Sequence, residues 1–536
     1  MRPFISVLAI SIAAGIWAFP FAVTAKTLQG TPKNDKLKGT PKPDVFYGEA
    51  GNDRMIGGED ILGIGGRDKA YGGKGNDIYE IFGEPGEFKI IERKNSGNDT
   101  WVPMGFVGGR TVSSNLTKPS PWLKKTKSGD FRVILRLPDH VENLNSMVWN
   151  GAISENAPTA VHVFTELHGN DSNNIMTSDD RGFAPDEWIK GAYSHDRIYG
   201  YDGDDTFRYG RGRDAYFGGP GWDTLDLRLA KVSALINAEA ELYVDLAAKL
   251  LVYGAIRNNT WVGDQTTLDS IESVILSRGV DHVKGSVNGD YFIIDQGDRA
   301  GGDRIWAGAG NDTLVIKRDF SGYQHVFYYG ETGFDTLDLS DFRVPVTIDL
   351  GSTDSQPIPN GEGGSWQGVQ LLAVEAVYSG NQSDTLSGNS AITEIFRPGR
   401  GNDTIKGDNT PPALYTNVDY IYFDTPLDSV NNVDTILDVK TETDNSQRLE
   451  DILYLDHRIF KNILSTTPTG AAYLVANRFK RIGSGGGVVD ADDRILVDQE
   501  SGFIYYDSDG NGATPSVLFA KVTPGIQVVA ANFATY

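Results

Sequence analysis

The chain of 536 residues contains no cysteine, which removes disulfides, thiolate zinc sites and cysteine nucleophiles together. Positive charge is scarce: 49 Lys and Arg stand against 72 Asp and Glu, a net charge of −23. That balance argues against nucleic-acid binding, which relies on basic patches that displace counterions. The one tight basic cluster, Lys124-Lys125-Thr126-Lys127, reads as a solvated loop. Beyond the first 25 residues no uninterrupted apolar run reaches the ~18 residues of a membrane-spanning helix. The seven histidines (140, 162, 168, 195, 282, 325 and 457) form no His-Glu-x-x-His pair, so a zinc-protease helix is excluded. No Gly-x-Ser-x-Gly elbow and no phosphate-binding Gly-x-x-x-x-Gly-Lys-Ser/Thr loop occurs either, which removes the common esterase and nucleotide-binding signatures.

Glycine, in contrast, is abundant, at 63 residues where a share of about 7 % is usual. Hydrophobic content of 39 % and aromatic content of 10 % exceed what a disordered acidic chain carries. The length predicts roughly three to four domains. Residues 1–25 read as a signal peptide: Met1-Arg2, an apolar stretch from Phe4 to Val23, then Val23-Thr24-Ala25 before Lys26. The mature chain is therefore expected outside the cytoplasm, where without disulfides it needs some other staple.

The tripeptide Gly-Asn-Asp occurs six times, ending at Asp53, Asp77, Asp99, Asp171, Asp312 and Asp403. Aspartates step by nine through Asp35, Asp44 and Asp53, through Asp68 and Asp77, through Asp196, Asp205, Asp214 and Asp223, and from Asp303 to Asp312. Two residues after most of them sits a large apolar side chain, including Leu37, Phe46, Met55, Tyr79, Ile198, Phe207, Tyr216, Leu225, Ile305 and Leu314. Two residues before sits glycine, as at Gly51, Gly75, Gly203, Gly212, Gly221, Gly310 and Gly401.

A glycine-rich run of about six residues turns tightly because glycine accepts positive φ. The three residues that follow make one short strand whose middle side chain points inward. Turn, strand, turn, strand winds the chain into a flattened roll in which alternate turns stack on one edge, 18 residues apart. Asp35 then lies above Asp53, Asp196 above Asp214, and Asp205 above Asp223. Paired carboxylates with turn carbonyls, as near Asn76, form an all-oxygen cage suited to Ca²⁺ better than to Mg²⁺. The expected metal ligands are Asp35, Asp44, Asp53, Asp68, Asp77, Asp196, Asp205, Asp214, Asp223, Asp303, Asp312 and Asp403. An ion at ~100 times its dissociation constant adds about 2.7 kcal/mol, and about four sites add roughly 11 kcal/mol. That is comparable with the 5–15 kcal/mol stability of a whole domain, so folding is expected to depend on several calcium ions.

Gly72-Gly73-Lys74-Gly75-Asn76-Asp77-Ile78-Tyr79-Glu80 and Gly218-Gly219-Pro220-Gly221-Trp222-Asp223-Thr224-Leu225-Asp226 resemble the RTX, or haemolysin-type, nonapeptide Gly-Gly-x-Gly-x-Asp-x-(large apolar)-x. The resemblance implies an all-β parallel β-roll, or β-helix-like solenoid, with Ca²⁺ between its turns. It gives RTX blocks at 26–100, 169–228, 279–340 and 381–410, with β spacers at 101–168, 229–278 and 341–380. Segment 411–536 resembles the C-terminal cap and secretion module of RTX proteins. The pattern is imperfect in places. Thr-Pro-Lys replaces Gly-x-Gly before Asp35 and Asp44, so these turns read equally as a terminal cap. The spacing of 15 from Asp53 to Asp68 is expected to disturb the stacking, and Asp384 and Asp403 are 19 apart.

The spacers also repeat. Leu225-Asp226-Leu227, Val244-Asp245-Leu246 and Ile271-Glu272-Ser273-Val274 match Leu337-Asp338-Leu339, Ile348-Asp349-Leu350 and Val374-Glu375-Ala376-Val377. They read as strands that widen the roll, with their acidic residues facing solvent. No catalytic residue is assigned. The expected function is a secreted calcium-binding structural, surface or adhesion protein, with cell-surface polysaccharide or another matrix component as partner. The alternative is an extracellular polysaccharide lyase or epimerase with its site in a spacer groove, which the Tyr and Trp content could serve.

Overall fold

The computed structural model of the protein describes residues 25–536 apart from segments 41–43, 57–67, 83–88, 94–96, 105–122, 126–130, 137–142, 146–162, 171–173, 178–196, 210–212, 229–240, 258–259, 296–301, 318–324, 360–366, 390–391, 408–417, 440, 442–450 and 464–471. The leader 1–24, Asp196 and Gly212 lie outside the described residues. Short strands dominate, nearly half of them three residues long, and only two short 3₁₀ turns interrupt them among the described residues. None of the described helices is long and apolar enough to cross a membrane. The fold is all-β, a parallel solenoid, in two compact units, Met1–Arg110 and Thr111–Tyr536.

In the first unit two parallel sheets wind together. One contains Thr27–Gln29, Val45–Ala50, Lys69–Lys74 and Lys89–Ile91, in that order. The other contains Lys36–Lys38, Arg54–Ile56, Ile78–Phe82 and Thr100–Met104. Register stacks Leu37, Met55, Tyr79 and Trp101 in one column, and Leu28, Phe46, Ala70 and Ile90 in the other. Met55, Tyr79, Trp101, Phe46 and Ala70 are buried, as expected when the middle residue of a three-residue strand faces inward.

The irregular spacing after Asp53 does not disturb the stack, contrary to expectation. Asp44 lies over Asp68 and Asp53 over Asp77, each 24 residues apart, so both edges gain the same six residues and strand register is retained. An extra length in a turn costs little loop entropy, whereas a one-residue slip would put the apolar column on the wrong face.

The second unit is built on one long parallel sheet from Asn143–Asn145 to Phe533–Thr535. Its inner column runs Met176, Phe207, Leu225, Val274, Phe292, Leu314, Leu337, Val377, Phe396, Ile421, Leu453 and Phe533, every one at most 2 % exposed. A second sheet, from Leu123–Lys125 to Gln356–Ile358, faces it, so Lys124 and Lys125 lie in an edge strand and not in the expected loop. Ring contacts between the two, Phe207 with Tyr216 and Phe292 with Tyr328, lie 5.8 and 6.4 Å apart. From Thr347–Asp349 onward a third sheet takes over, through Thr385–Ser387, Thr404–Lys406 and Asp434–Ile436.

The first long spacer does more than widen the roll. Glu241–Asp245, Leu250–Arg257 and Thr260–Asp269 pair antiparallel and are inserted between two parallel neighbours. At the C-terminus Ile495–Asp498, Phe503–Tyr506 and Val517–Val522 form an antiparallel meander joined to Asp434–Ile436. Phe533–Thr535 meanwhile adds to Ile452–Leu455. The segment thus extends both sheets, over a core where Phe460 packs against Tyr506 and Phe519, and Phe519 against Phe423.

Candidate metal centre

Each repeat aspartate is held by its own neighbours in the stack. The Asp35 N–H donates to Asp53 Oδ1 at 2.7 Å, Asp53 to Asp77 at 2.8 Å, and Asp77 to Asp99 at 2.8 Å. The same bond joins Asp44 to Asp68, Asn174 to Asp205, Asp205 to Asp223, Asp281 to Asp303, Asp290 to Asp312, Asp312 to Asp335, and Asp384 to Asp403. The 19-residue spacing at Asp384 is therefore absorbed as well. A neighbouring ladder runs in the opposite sense: Asn34 Oδ1 accepts from the Asn52 N–H, Asn52 from Asn76, and Asn76 from Asn98, at 2.9, 3.0 and 3.0 Å. The Gly-Asn-Asp tripeptide is the sequence trace of these two ladders. Asparagine links a turn to the next one along the chain and aspartate links it to the one before.

What becomes of the second carboxylate oxygen separates two recurrent kinds of turn, with Asp384, whose Oδ2 meets no donor though its turn lacks the left-handed pair, outside both. Asp53, Asp77, Asp205, Asp223, Asp312, Asp335 and Asp403 are buried, and Oδ2 of each meets no donor. In all seven turns the residues four and two before the aspartate are left-handed. They are Glu49 and Gly51, Gly73 and Gly75, Tyr201 and Gly203, Gly219 and Gly221, Gly308 and Gly310, Glu331 and Gly333, and Gly399 and Gly401. The other kind has a hydroxyl residue four before. Thr31 N–H and Oγ1 donate to Asp35 Oδ2 at 2.6 and 2.8 Å, and Thr40 holds Asp44 likewise. Ser277 and Ser286 do the same for Asp281 and Asp290. At Asp35 and Asp44, the threonine donors hold Oδ2 within the turn.

Six of the seven open turns sit in stacked pairs: Asp53 with Asp77, Asp205 with Asp223, and Asp312 with Asp335. A Cβ on Gly200 would overlap both Asp205 Oδ2 and the Gly218 carbonyl oxygen, and one on Gly48 would overlap Asp53 Oδ2 and the Gly72 carbonyl oxygen. Carboxylate and carbonyl oxygens thus converge over a bare glycine with nothing positive between them. Burial pushes the carboxyls up, with neighbouring carboxylates adding to it: Asp205 and Asp312 to about 8, and Asp77, Asp223 and Asp335 to about 7. Buried donor-less carboxylates with carbonyl partners, lacking sulfur or imidazole, fit a hard oxygen-seeking cation.

Compared with known families, the chain matches the RTX calcium-binding nonapeptide repeat in four copies, at residues 29–61, 60–80, 182–216 and 299–315. The chain carries RTX calcium-binding nonapeptide repeats. No curated protein matches the chain. The RTX repeats carry the open pair Asp53–Asp77, together with Asp205 and Asp312, whereas Asp223, Asp335 and Asp403 lie beyond the matched segments.

The remaining expected ligands of the RTX blocks are less uniform. Asp68 Oδ2 meets no donor, although its preceding turn lies outside the described residues. Asp214 receives the Tyr216 hydroxyl at 3.4 Å, and Asp303 accepts the Asp281 N–H at 2.9 Å. Participants outside the expected ligand set include Asp99, Asp281, Asp290, Asp335, Glu92, Glu272 and Glu375. Asp335 was legible, since Gly330-Glu331-Thr332-Gly333-Phe334-Asp335-Thr336-Leu337-Asp338 parallels the repeat ending at Asp226, but its spacing of 23 from Asp312 hid it. Glu92 joins Asp77 and Asp99 in a buried group whose oxygens lie within 4.8 Å of one another, and it accepts from Gly72 N–H and the Tyr79 hydroxyl.

The spacer acids do not all face solvent, which corrects the sequence reading. Glu272 and Glu375 accept the N–H of Asp223 and Asp335 at 2.9 and 2.7 Å. Asp226 is buried and bound by Arg228. A parallel solenoid places a spacer's last turn over the turn before the spacer, so an acid there continues the ladder.

Proposed function

We propose that the protein is an exported calcium-dependent solenoid serving as a structural or adhesive component of a cell surface or extracellular matrix, with no catalytic site. The observation that carries this reading is the stacking, in pairs of left-handed turns, of buried carboxylates that each keep one oxygen without a donor. Without cations each pair is a stored repulsion, and with Ca²⁺ it becomes a cross-link between rungs. The apparent leader, the absence of cysteine and the net charge of −23 suit a chain that stays loose where calcium is scarce and sets rigid where it is plentiful. Export through that leader is part of the proposal.

The test is circular dichroism and thermal melting of residues 26–536 in millimolar calcium and in excess chelator. Strand content and melting temperature should rise together with calcium. Identical curves in both buffers would refute the reading.

A polysaccharide partner is supported by an aromatic row on the outward side of the second unit. Tyr243 stacks on Trp261 at 5.1 Å, Trp261 meets His282 at 5.1 Å, His282 stacks on Trp306 at 6.3 Å, and Trp306 on Tyr329 at 5.9 Å. Stacked in this way, the half-buried Tyr and Trp rings line an apolar strip along the sheet on which sugar rings can lie. Incubation with a uronic-acid polymer distinguishes binding from the rival lyase or epimerase activity. Retention on the polymer without new absorbance or altered proton spectrum fits the proposal, and either spectral change favours the enzyme.

A further inference from the structure

We propose that the spacers 229–278 and 341–380 each return to the roll with a short acidic turn that completes an additional calcium site, Glu272 over Asp223 and Glu375 over Asp335. The inference rests on the calcium reading above and adds ligands from outside the glycine-rich repeats.

The same geometry occurs twice, from two different spacers. Ser270 and Ala373, each two residues before its glutamate, are left-handed with φ of 54° and 52°, the place that glycine holds two residues before a repeat aspartate. The N–H groups of Glu272 and Ser273 donate to the Asp223 carbonyl at 3.0 and 2.9 Å, and those of Glu375 and Ala376 to the Asp335 carbonyl at 2.9 Å each. In return Glu272 Oε2 and Glu375 Oε2 accept the Asp223 and Asp335 N–H groups, the bond that aspartate makes elsewhere in the ladder. A turn with one left-handed residue before the acid replaces a turn with two, and the acid is longer by one methylene. The glutamate therefore occupies the aspartate's place in the stack.

The independent pointer to a ligand is the pair of orphaned oxygens. Asp223 and Asp335 are 0 and 1 % exposed, and Oδ2 of each meets no donor. Each faces the spacer turn: a Cβ on Gly218 would overlap both Asp223 Oδ2 and the Ser270 carbonyl oxygen, and one on Gly330 both Asp335 Oδ2 and the Ala373 carbonyl oxygen. Hydrogen bonds within the ladder account for one oxygen of each aspartate and leave the other against a carbonyl and a second carboxylate. Burying these together without a donor is costly, and a divalent cation removes the cost with ligands of the type calcium takes.

The test uses Glu272→Gln, Glu375→Gln and the double variant in the full mature chain. Glutamine keeps an oxygen to accept the N–H, so the ladder survives while the charge is lost. Calcium titration by calorimetry should show one ion fewer than wild type for each single variant and two fewer for the double. In chelator each variant should melt at or above the wild-type temperature, and in calcium below it. Unchanged stoichiometry in variants of a protein that does bind calcium would overturn the proposal and reduce the glutamates to hydrogen-bonding struts. Wild-type protein that binds no calcium would instead sink the reading on which the proposal rests.

Discussion

Replacing Asp205 and Asp223 together by asparagine should move stability in opposite directions in the two buffers. Asparagine Oδ1 can still accept the N–H groups of Asn174 and Asp205 that the carboxylates now hold, so the ladder is retained and only charge is removed. The Asp223 carboxyl rises from 3.8 to about 7, chiefly through burial. A gap of about three units is worth ~4 kcal/mol at 1.36 kcal/mol per unit above pH 7. Solvent relaxation around so short a side chain lowers this to roughly 2 kcal/mol, and the two groups are not independent, so the pair is not counted double. In chelator at pH 8 the variant should therefore be more stable by about 2 kcal/mol. In calcium at ~100 times the dissociation constant the wild type gains about 2.7 kcal/mol from the ion of this pair, which on that ion alone leaves the variant less stable by about 0.7 kcal/mol. Differential scanning calorimetry in both buffers reads the two shifts. A variant destabilised equally in both would mean that Oδ2 has an internal role unrelated to cations, and the division of turns into open and closed would fail.

The pH dependence should invert with metal. Asp205, Asp223, Asp312 and Asp335 all have carboxyls raised above 3.8, to about 7 or 8, so the metal-free fold binds more protons than the unfolded chain. Its stability is greatest below about pH 4 to 5 in respect of these groups and is lost as pH rises towards 8, whereas calcium affinity should climb over the same window; chemical denaturation at several pH values checks both. Gly75→Ala should be among the most damaging small changes, because φ is 126° and the new Cβ would overlap the Gly51 carbonyl oxygen. The φ alone costs about 1–2 kcal/mol, and wedging the turns apart should weaken calcium at the Asp53–Asp77 pair by at least tenfold in a titration. Asn76→Ala removes the acceptor for the Asn98 N–H and should cost about 1 kcal/mol. That loss should be equal in calcium and in chelator, because the asparagine ladder carries no charge.

The amino-acid sequence by itself determined the period, the inner columns and the class of ion. Asp at every ninth place, with a large apolar side chain two later, admits one winding. Phe207, Tyr216 and Leu225 are buried as that winding requires. Whether a given carboxylate is open or closed was also written locally, in the contrast between Thr40 before Asp44 and Gly73 before Asp77, although its meaning lies in backbone dihedrals that composition does not display. Tertiary structure decided what depends on contacts distant in the chain. Glu272 and Glu375 meet their aspartates across 49 and 40 residues, and beyond the irregular spacing after Asp53 the strand register pairs Met55 with Tyr79. The end of the roll is likewise fixed by Asn532 donating to the Asp451 carbonyl across 81 residues. Such pairings are chosen by burial of whole columns, and a nine-residue window cannot contain them.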